Sequence, residues 1–316
     1  MEGRGPEGSW TSGVRRVAMQ AGRAYPWESD FREALRVGNL ASGVKALYAL
    51  RGTMKSSRPS AGEMRRALEL LQDHSTQPDQ RWAWGVQLVE ERLSTTLGVK
   101  LMNSLFSYRP DDVVTFWLRL ADHPDWERRE DAAWMLSQLF LTDFDGIYKR
   151  CLEWVNHPSE KIRRAVAVGV KIAAKHRVPE WGVRFLDLIE PLLSDRKVYV
   201  RKNLGPFAIG DGLLRCYPQV TLNRIATWAR GPDEQTRWNV AMVFSAAEGV
   251  KHIDAALPIL AGLATDKRRF VWRAVSSAMR NLGRRRPEEV IPVLEAWLCD
   301  GRRRQVAEVA LRYLRG

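Results

Sequence analysis

His123-Pro124-Asp125-Trp126-Glu127-Arg128-Arg129 and His157-Pro158-Ser159-Glu160-Lys161-Ile162-Arg163 are two copies of one pattern, a proline turn followed by a short charged run that ends on arginine. The same slot recurs at residues 195–201, 231–237, 266–272 and 300–306. Its last residues, at 129, 163, 201, 237, 272 and 306, are separated by 34, 38, 36, 35 and 34 positions. That period fits one helix pair per repeat. A second column stands nine residues before each anchor and reads Leu120, Trp154, Leu192, Trp228, Leu263 and Trp297. Every member is large and apolar, as expected of first helices that pack between layers.

Runs of alternating β-branched residues are scarce, and turn residues recur at helix-pair rather than strand spacing. The fold class is therefore all-α: a HEAT-like helical-repeat solenoid, or right-handed α-α superhelix. Residues 1–13 are expected to be a flexible tail and residues 14–316 a single solenoid. An earlier pair is suggested by residues 64–72 and 82–93, and the first sixty residues read as an irregular helical cap of the kind terminal repeats need. One predicted inner helix is unusual. Val200-Arg201-Lys202-Asn203-Leu204-Gly205-Pro206-Phe207 carries Gly and Pro in its middle, so a kink is expected there.

The chain has 316 residues, 45% of them hydrophobic, enough for a sizeable core. The first dozen residues are Gly-rich without an apolar segment, so neither a secretory signal nor a membrane span is expected. Cys151, Cys216 and Cys299 lie far apart with no CxxC pair, which points to buried structural thiols in a reducing cytoplasm. The five histidines form no HExxH or HxE pair, so no metal or other cofactor is expected, and His123 and His157 read as turn residues. Gly3-Arg4-Gly5-Pro6-Glu7-Gly8 matches GxGxxG in letters only, with no strand before it. A Walker loop and a GxSxG elbow are absent.

The formal net charge is +13. Such an imbalance favours polyanionic partners. It is uneven: residues 1–110 carry 16 basic and 11 acidic side chains, 111–195 carry 12 and 15, and 196–316 carry 22 and 11. The second helix of each pair should line the concave side. The residue after each anchor reads Glu130, Arg164, Lys202, Trp238, Arg273 and Ala307, so Arg164, Lys202 and Arg273 are placed to follow a phosphate backbone. The anchors Arg129, Arg163, Arg201 and Arg237, with Trp238, complete the expected surface for double-stranded DNA.

Three segments carry a resemblance to a known family: Trp126-x-x-x-Glu130; Trp154 with Ile162-Arg163-Arg164-Ala165-Val166-Ala167; and Tyr199-Val200-Arg201-Lys202-Asn203-Leu204-Gly205. Here the chain resembles the AlkD/AlkC-like HEAT-repeat DNA glycosylases of the DNA alkylation repair family, over roughly residues 62–265. Thr236-Arg237-Trp238-Asn239-Val240 looks closer to the AlkC branch. The resemblance implies base excision repair, with cationic N3- or N7-alkylated purines released from duplex DNA. By it, Glu130 supplies charge opposite the developing sugar cation, Trp126 offers its π face, and Arg164 holds a phosphate. Asp131 is a competing carboxylate, about 100° around the helix from Glu130. This chain departs from the family pattern at Glu130, where the family has Asp, and at Pro206, which stands where a second Trp is expected. Two other functions fit the same sequence: a non-catalytic DNA-binding relative, and a protein-interaction scaffold. The expected setting is a monomer on the nucleoid, without membrane contact.

Overall fold

The computed structural model describes residues 24–49 and 59–315. The tail at 1–13 and the Gly3–Gly8 match lie outside these residues. All regular structure among them is helical. They divide into two compact units, one ending at His74 and one beginning at Ser75.

The first unit contains α1 (Glu28–Arg36), α2 (Leu40–Ala49) and α3 (Ala61–His74). Gly38, at φ +72, makes the tight turn between α1 and α2, a backbone state that a Cβ would strain. Phe31, Leu35, Leu47, Leu70 and Leu71 are buried. The buried Glu28 is held by Arg66 of α3 at 3.1 Å, which ties α3 to α1.

The second unit opens with α4 (Pro78–Glu90) and α5 (Thr95–Asn103). These two pack on each other with Gly85 facing Gly98, where a Cβ on Gly98 would sit 2.9 Å from the Gly85 carbonyl. The pair expected from residues 64–72 and 82–93 is thus corrected: α4 takes α5 as its partner, and α3 belongs to the first unit.

Six helix pairs follow. They are α6 (Pro110–Ala121) with α7 (Trp126–Thr142), α8 (Phe144–Trp154) with α9 (Glu160–Ala174), and α10 (Trp181–Ile189) with α11 (Val198–Arg201) and its continuation. Then come α12 (Pro218–Trp228) with α13 (Glu234–Val243), α14 (Ile253–Leu263) with α15 (Arg269–Gly283), and α16 (Pro287–Leu298) with α17 (Arg304–Arg315). Proline opens α6, α12 and α16, where its missing N–H costs no helical bond. The second helices pack on one another more closely than the first helices do, so the stack curves with the second helices inside.

The six residues of the apolar column, from Leu120 to Trp297, are all buried. Trp154 stacks on Trp117 of the preceding pair at 4.2 Å. The loop column has one geometry as well. In five loops its first residue accepts the backbone N–H two positions on, through Nδ1 of His123 and His157 or a carboxylate oxygen of Asp195, Asp266 and Asp300. Burial together with the nearby Arg128 lowers the pKa of His123.

Three expectations need correction. The last inner helix begins at Arg304, so its fourth residue is Ala307 rather than Val306; Ala307 is buried, and the groove-facing place falls to exposed Glu308. The kink at Gly205-Pro206 is a full break: α11 lasts four residues and a wide π-helix, Leu204–Leu214, replaces the rest. Its opening bond runs from the Ala208 N–H to the Asn203 carbonyl, five residues back, which leaves room for the proline ring. Of the three cysteines only Cys151 is buried, while Cys299 is exposed.

Asp266 illustrates how repeats are joined. It receives Arg237 of the preceding pair at 2.8 Å and Arg268 at 2.6 Å. The Arg268 side chain above all, then the Arg268 N–H and Arg237, hold its carboxyl far below the usual carboxylate range against the opposing effect of burial. A depressed carboxyl contributes stability that is present above its unfolded value and is lost as pH falls towards its folded one. Asp266→Asn is therefore expected to cost about 3 kcal/mol at neutral pH. It should also flatten the fall in stability below about pH 4, read as denaturant midpoints across that range.

Candidate functional site

The inner helices bring Glu130 and Arg164 together in a close ion pair, one member from α7 and one from α9. Glu130 sits at the fifth position of α7, one turn beyond Trp126, so both occupy one face of the helix. The Trp126 ring is exposed, and the Glu130 side chain retains 43% of its accessible surface. Arg164 is the reverse, with only 9%. Its Nε and Nη1 find no hydrogen-bond acceptor and face instead the ring of Tyr199, 5.2 Å away. Tyr199 reaches across from α11, and its hydroxyl accepts Arg129 Nε at 2.7 Å while the Arg129 guanidinium also lies over the ring. One tyrosine from the third pair thus clamps arginines of the first two.

This geometry revises the roles expected of the arginines. Arg164 is enclosed, and its one satisfied nitrogen is directed at Glu130. Arg129, Arg163 and Arg237 reach back to carbonyls of their own loops: Arg129 to His123 and Pro124 at 2.7 and 2.6 Å, Arg163 to His157 and Pro158 at 2.7 and 2.9 Å, and Arg237 to Gly231 at 2.8 Å. Arg163 also pairs with Asp195 at 2.6 Å.

Free cations remain elsewhere on the inner side. Lys202, on the break after α11, and Arg269 and Arg273, one turn apart on α15, are exposed, and among the described residues none of them pairs with a carboxylate. Arg196, Lys197 and Lys267 in the adjoining loops are likewise exposed and unpaired. Between the two groups Trp238 stacks on Phe270 at 5.5 Å, with the Arg201 guanidinium over both rings. Arg201 further donates to Gln235 at 3.0 Å. Asp131, next to Glu130 in sequence, accepts a hydrogen bond from Thr96 of α5 at 3.2 Å.

Two lysines line the groove over aromatic rings, Lys100 3.8 Å from the Trp134 centroid and Lys171 3.1 Å from that of Phe207. Desolvation lowers the pKa of each below the ordinary lysine value. Neither lysine is marked in the sequence, because their ring partners come from other helices at no fixed spacing. Tyr199 carries no mark of its own in the sequence, because its clamp depends on the curvature of the stack. No group of His, Cys, Asp and Glu among the described residues could hold a metal ion. No helix among them is long and apolar enough to cross a membrane.

A buried cation with two unanswered N–H groups is a poor device for stability, since replacing a buried ion pair by a well-packed apolar side chain is often neutral or favourable. Arg164→Met is expected to leave the unfolding free energy within about 1 kcal/mol of the original, because Glu130 is exposed enough to be rehydrated. A loss of about 3–5 kcal/mol in chemical denaturation would instead make the pair a structural tie.

No protein-family profile matches the sequence, and no curated protein matches it. Among solved structures the chain is similar to smu.31 from Streptococcus mutans UA159, at 18% identity and a TM-score of 0.47, over 63% of this chain and 98% of that one. It is also similar to an engineered protein, at 19% identity and a TM-score of 0.32, over 63% and 97% of the two chains. A designed armadillo repeat protein matches at 17% identity and a TM-score of 0.29, over 63% and 98%.

Proposed function

We propose that the inner side of the second unit binds duplex DNA. The observation that carries this reading is the set of unpaired cations from Arg196 to Arg273 on the inner helices and their loops, flanking the Trp238–Phe270 stack. Elsewhere in this unit arginines commonly sit against carboxylates, as Arg224 does with Asp187 and Arg215 with Asp211 and Glu248. Leaving a local excess of cations exposed raises the potential of that face, and a phosphate backbone answers it by releasing its condensed counterions. A peptide scaffold would need an apolar groove there, whereas the face offers charge and flat aromatic surface.

Duplex affinity is expected to fall steeply as salt rises. Converting Lys202, Arg269 and Arg273 to Glu together should weaken binding at every sequence and reduce the salt slope by about 3. Fluorescence anisotropy with a labelled duplex over a salt series measures both. A triple variant that binds as the parent does would remove this face from the interface.

A second reading, N-glycosylase action on cationic alkylated purines, rests on the Trp126–Glu130 arrangement and on the resemblance to the AlkD/AlkC-like family. As the glycosidic bond breaks, the base departs neutral and the sugar becomes cationic. A carboxylate beside it lowers the energy of that state, and then accepts a proton from the water that adds to C1′. Arg164 holds Glu130 outward at the groove, and Trp126 offers a π face on the same side. Glu130→Gln should cut release of methylated purines by roughly 10²–10³ while duplex affinity holds or rises, with Asp131→Asn as control. Absence of base release from methylated DNA by the parent protein removes this reading and leaves the binding one.

A further inference from the structure

The sharpest irregularity of the inner face is the π-helix, and the side chain it receives is Lys171. Lys171 lies seven residues beyond Arg164 on α9, two turns along the same face. Gly212 of the π-helix packs directly against it, so that a Cβ there would approach Lys171 Cγ to 2.9 Å. Phe207, from the opposite end of the same π-helix, lies under the ammonium. The wide turn and the missing side chain together seat one amine on an aromatic floor. Among the described residues no carboxylate forms an ion pair with Lys171, although Asp211 pairs with the neighbouring Arg215 at 3.2 Å.

We propose that Lys171 is an amine nucleophile that forms an imine with the ring-opened deoxyribose of an abasic site in DNA. The inference rests on the DNA-binding reading above but not on base excision. The neutral amine adds its electron pair to the C1′ aldehyde carbon. The aldehyde oxygen then takes up two protons, one shed by the amine and one from solvent, and leaves as water, so the imine forms in its protonated state. A C1′=Nζ bond results. Loss of a C2′ proton to a neighbouring base then breaks the C3′–O bond and expels the 3′ phosphate, and hydrolysis returns the lysine.

The surroundings suit this chemistry. Desolvation lowers the Lys171 pKa, as do Lys175 and Arg215, while Asp211 and Glu130 oppose the shift. A larger share of neutral amine is therefore present near neutral pH than for a solvated lysine. The influence of Glu130 also places the amine in the field of the one carboxylate that the groove presents beside an exposed tryptophan. Lys100 has a comparable seat over Trp134, but on α5, where Asp131 acts on it and Glu130 does not.

The test incubates the full chain with a duplex carrying one aldehydic abasic site and sodium cyanoborohydride, which reduces an imine to a stable secondary amine. Denaturing electrophoresis then reads the covalent adduct, and peptide mapping of the parent adduct locates it. Adduct on Lys171 is expected, lost in Lys171→Gln and Lys171→Arg, retained in Lys100→Gln, and formed faster as pH rises towards the amine's lowered pKa. The arginine variant keeps the cation, so a role limited to gripping phosphate predicts no loss from the duplex affinity, and affinity is measured alongside. Duplex bound without adduct, or adduct mapped to another lysine, overturns the inference and leaves DNA binding in place. If the duplex is neither bound nor trapped at low salt, the binding reading fails and this one with it.

Discussion

The second unit depends on one recurring bond, from an arginine in the first turn and a half of an inner helix back to the carbonyls of the loop that precedes it. Arg129, Arg163 and Arg237 each span six residues in this way, and Arg304 does the same to Leu298 at 2.9 Å. Carbonyls left over at the end of an outer helix would otherwise be exposed to a crowded turn without donors. The arginine satisfies them and fixes the angle at which the chain re-enters the next helix. In two repeats the same guanidinium also grips the first residue of the following loop, Asp195 or Asp266, so the device that closes one turn sets the distance to the next.

That link constrains where function can reside. Guanidiniums held in loops have fewer N–H groups left for another anion, so the proposed interface draws chiefly on cations outside the loop device. In the third pair the device is altered: Arg201 reaches Gln235 and lies over Trp238 and Phe270, and Tyr199, two residues earlier, holds Arg129 and Arg164. The same pair carries the π-helix. A π segment widens the helix and displaces every side chain after it, and here it delivers Phe207 beneath Lys171 while Gly205 lies within 2.8 Å of the Asn239 carbonyl on the next inner helix, measured from where its Cβ would be. The irregular repeat and the unusual side chains coincide.

Much of this was legible in the amino-acid order. The helix-pair period, the buried Leu/Trp column and the special character of residues 200–207 follow from patterning, because burial and turn geometry impose a period on residue type. The partner of a charged side chain imposes none. An arginine that closes a loop and one that grips a phosphate occupy the same helix start, so nothing in the sequence marks the loop bonds that Arg129, Arg163 and Arg237 make. Arg164 reads as exposed because it follows an anchor in the row expected to line the concave side; in the fold its guanidinium lies over Tyr199, 35 positions away in the chain. The slip of one residue at Ala307 has a local cause: Asp300-Gly301 starts a longer turn, and the helix waits until Arg304.

The pairing of Glu130 with Arg164 bears on how the proposed surface would meet both an anionic polymer and a cationic sugar. A lone carboxylate repels a phosphate within the screening length, roughly 8 Å in physiological salt. Joined to a guanidinium it becomes nearly neutral as seen from a phosphate across the groove. Close to its exposed oxygen the field remains negative, because the compensating charge lies behind it, against Tyr199. The enclosure of Arg164 keeps that asymmetry in place: a solvent-exposed arginine would swing towards the first phosphate offered and leave Glu130 bare. A buried arginine with two unanswered N–H groups is costly to fold around, and the arrangement makes physical sense if what it secures is the direction in which one carboxylate points.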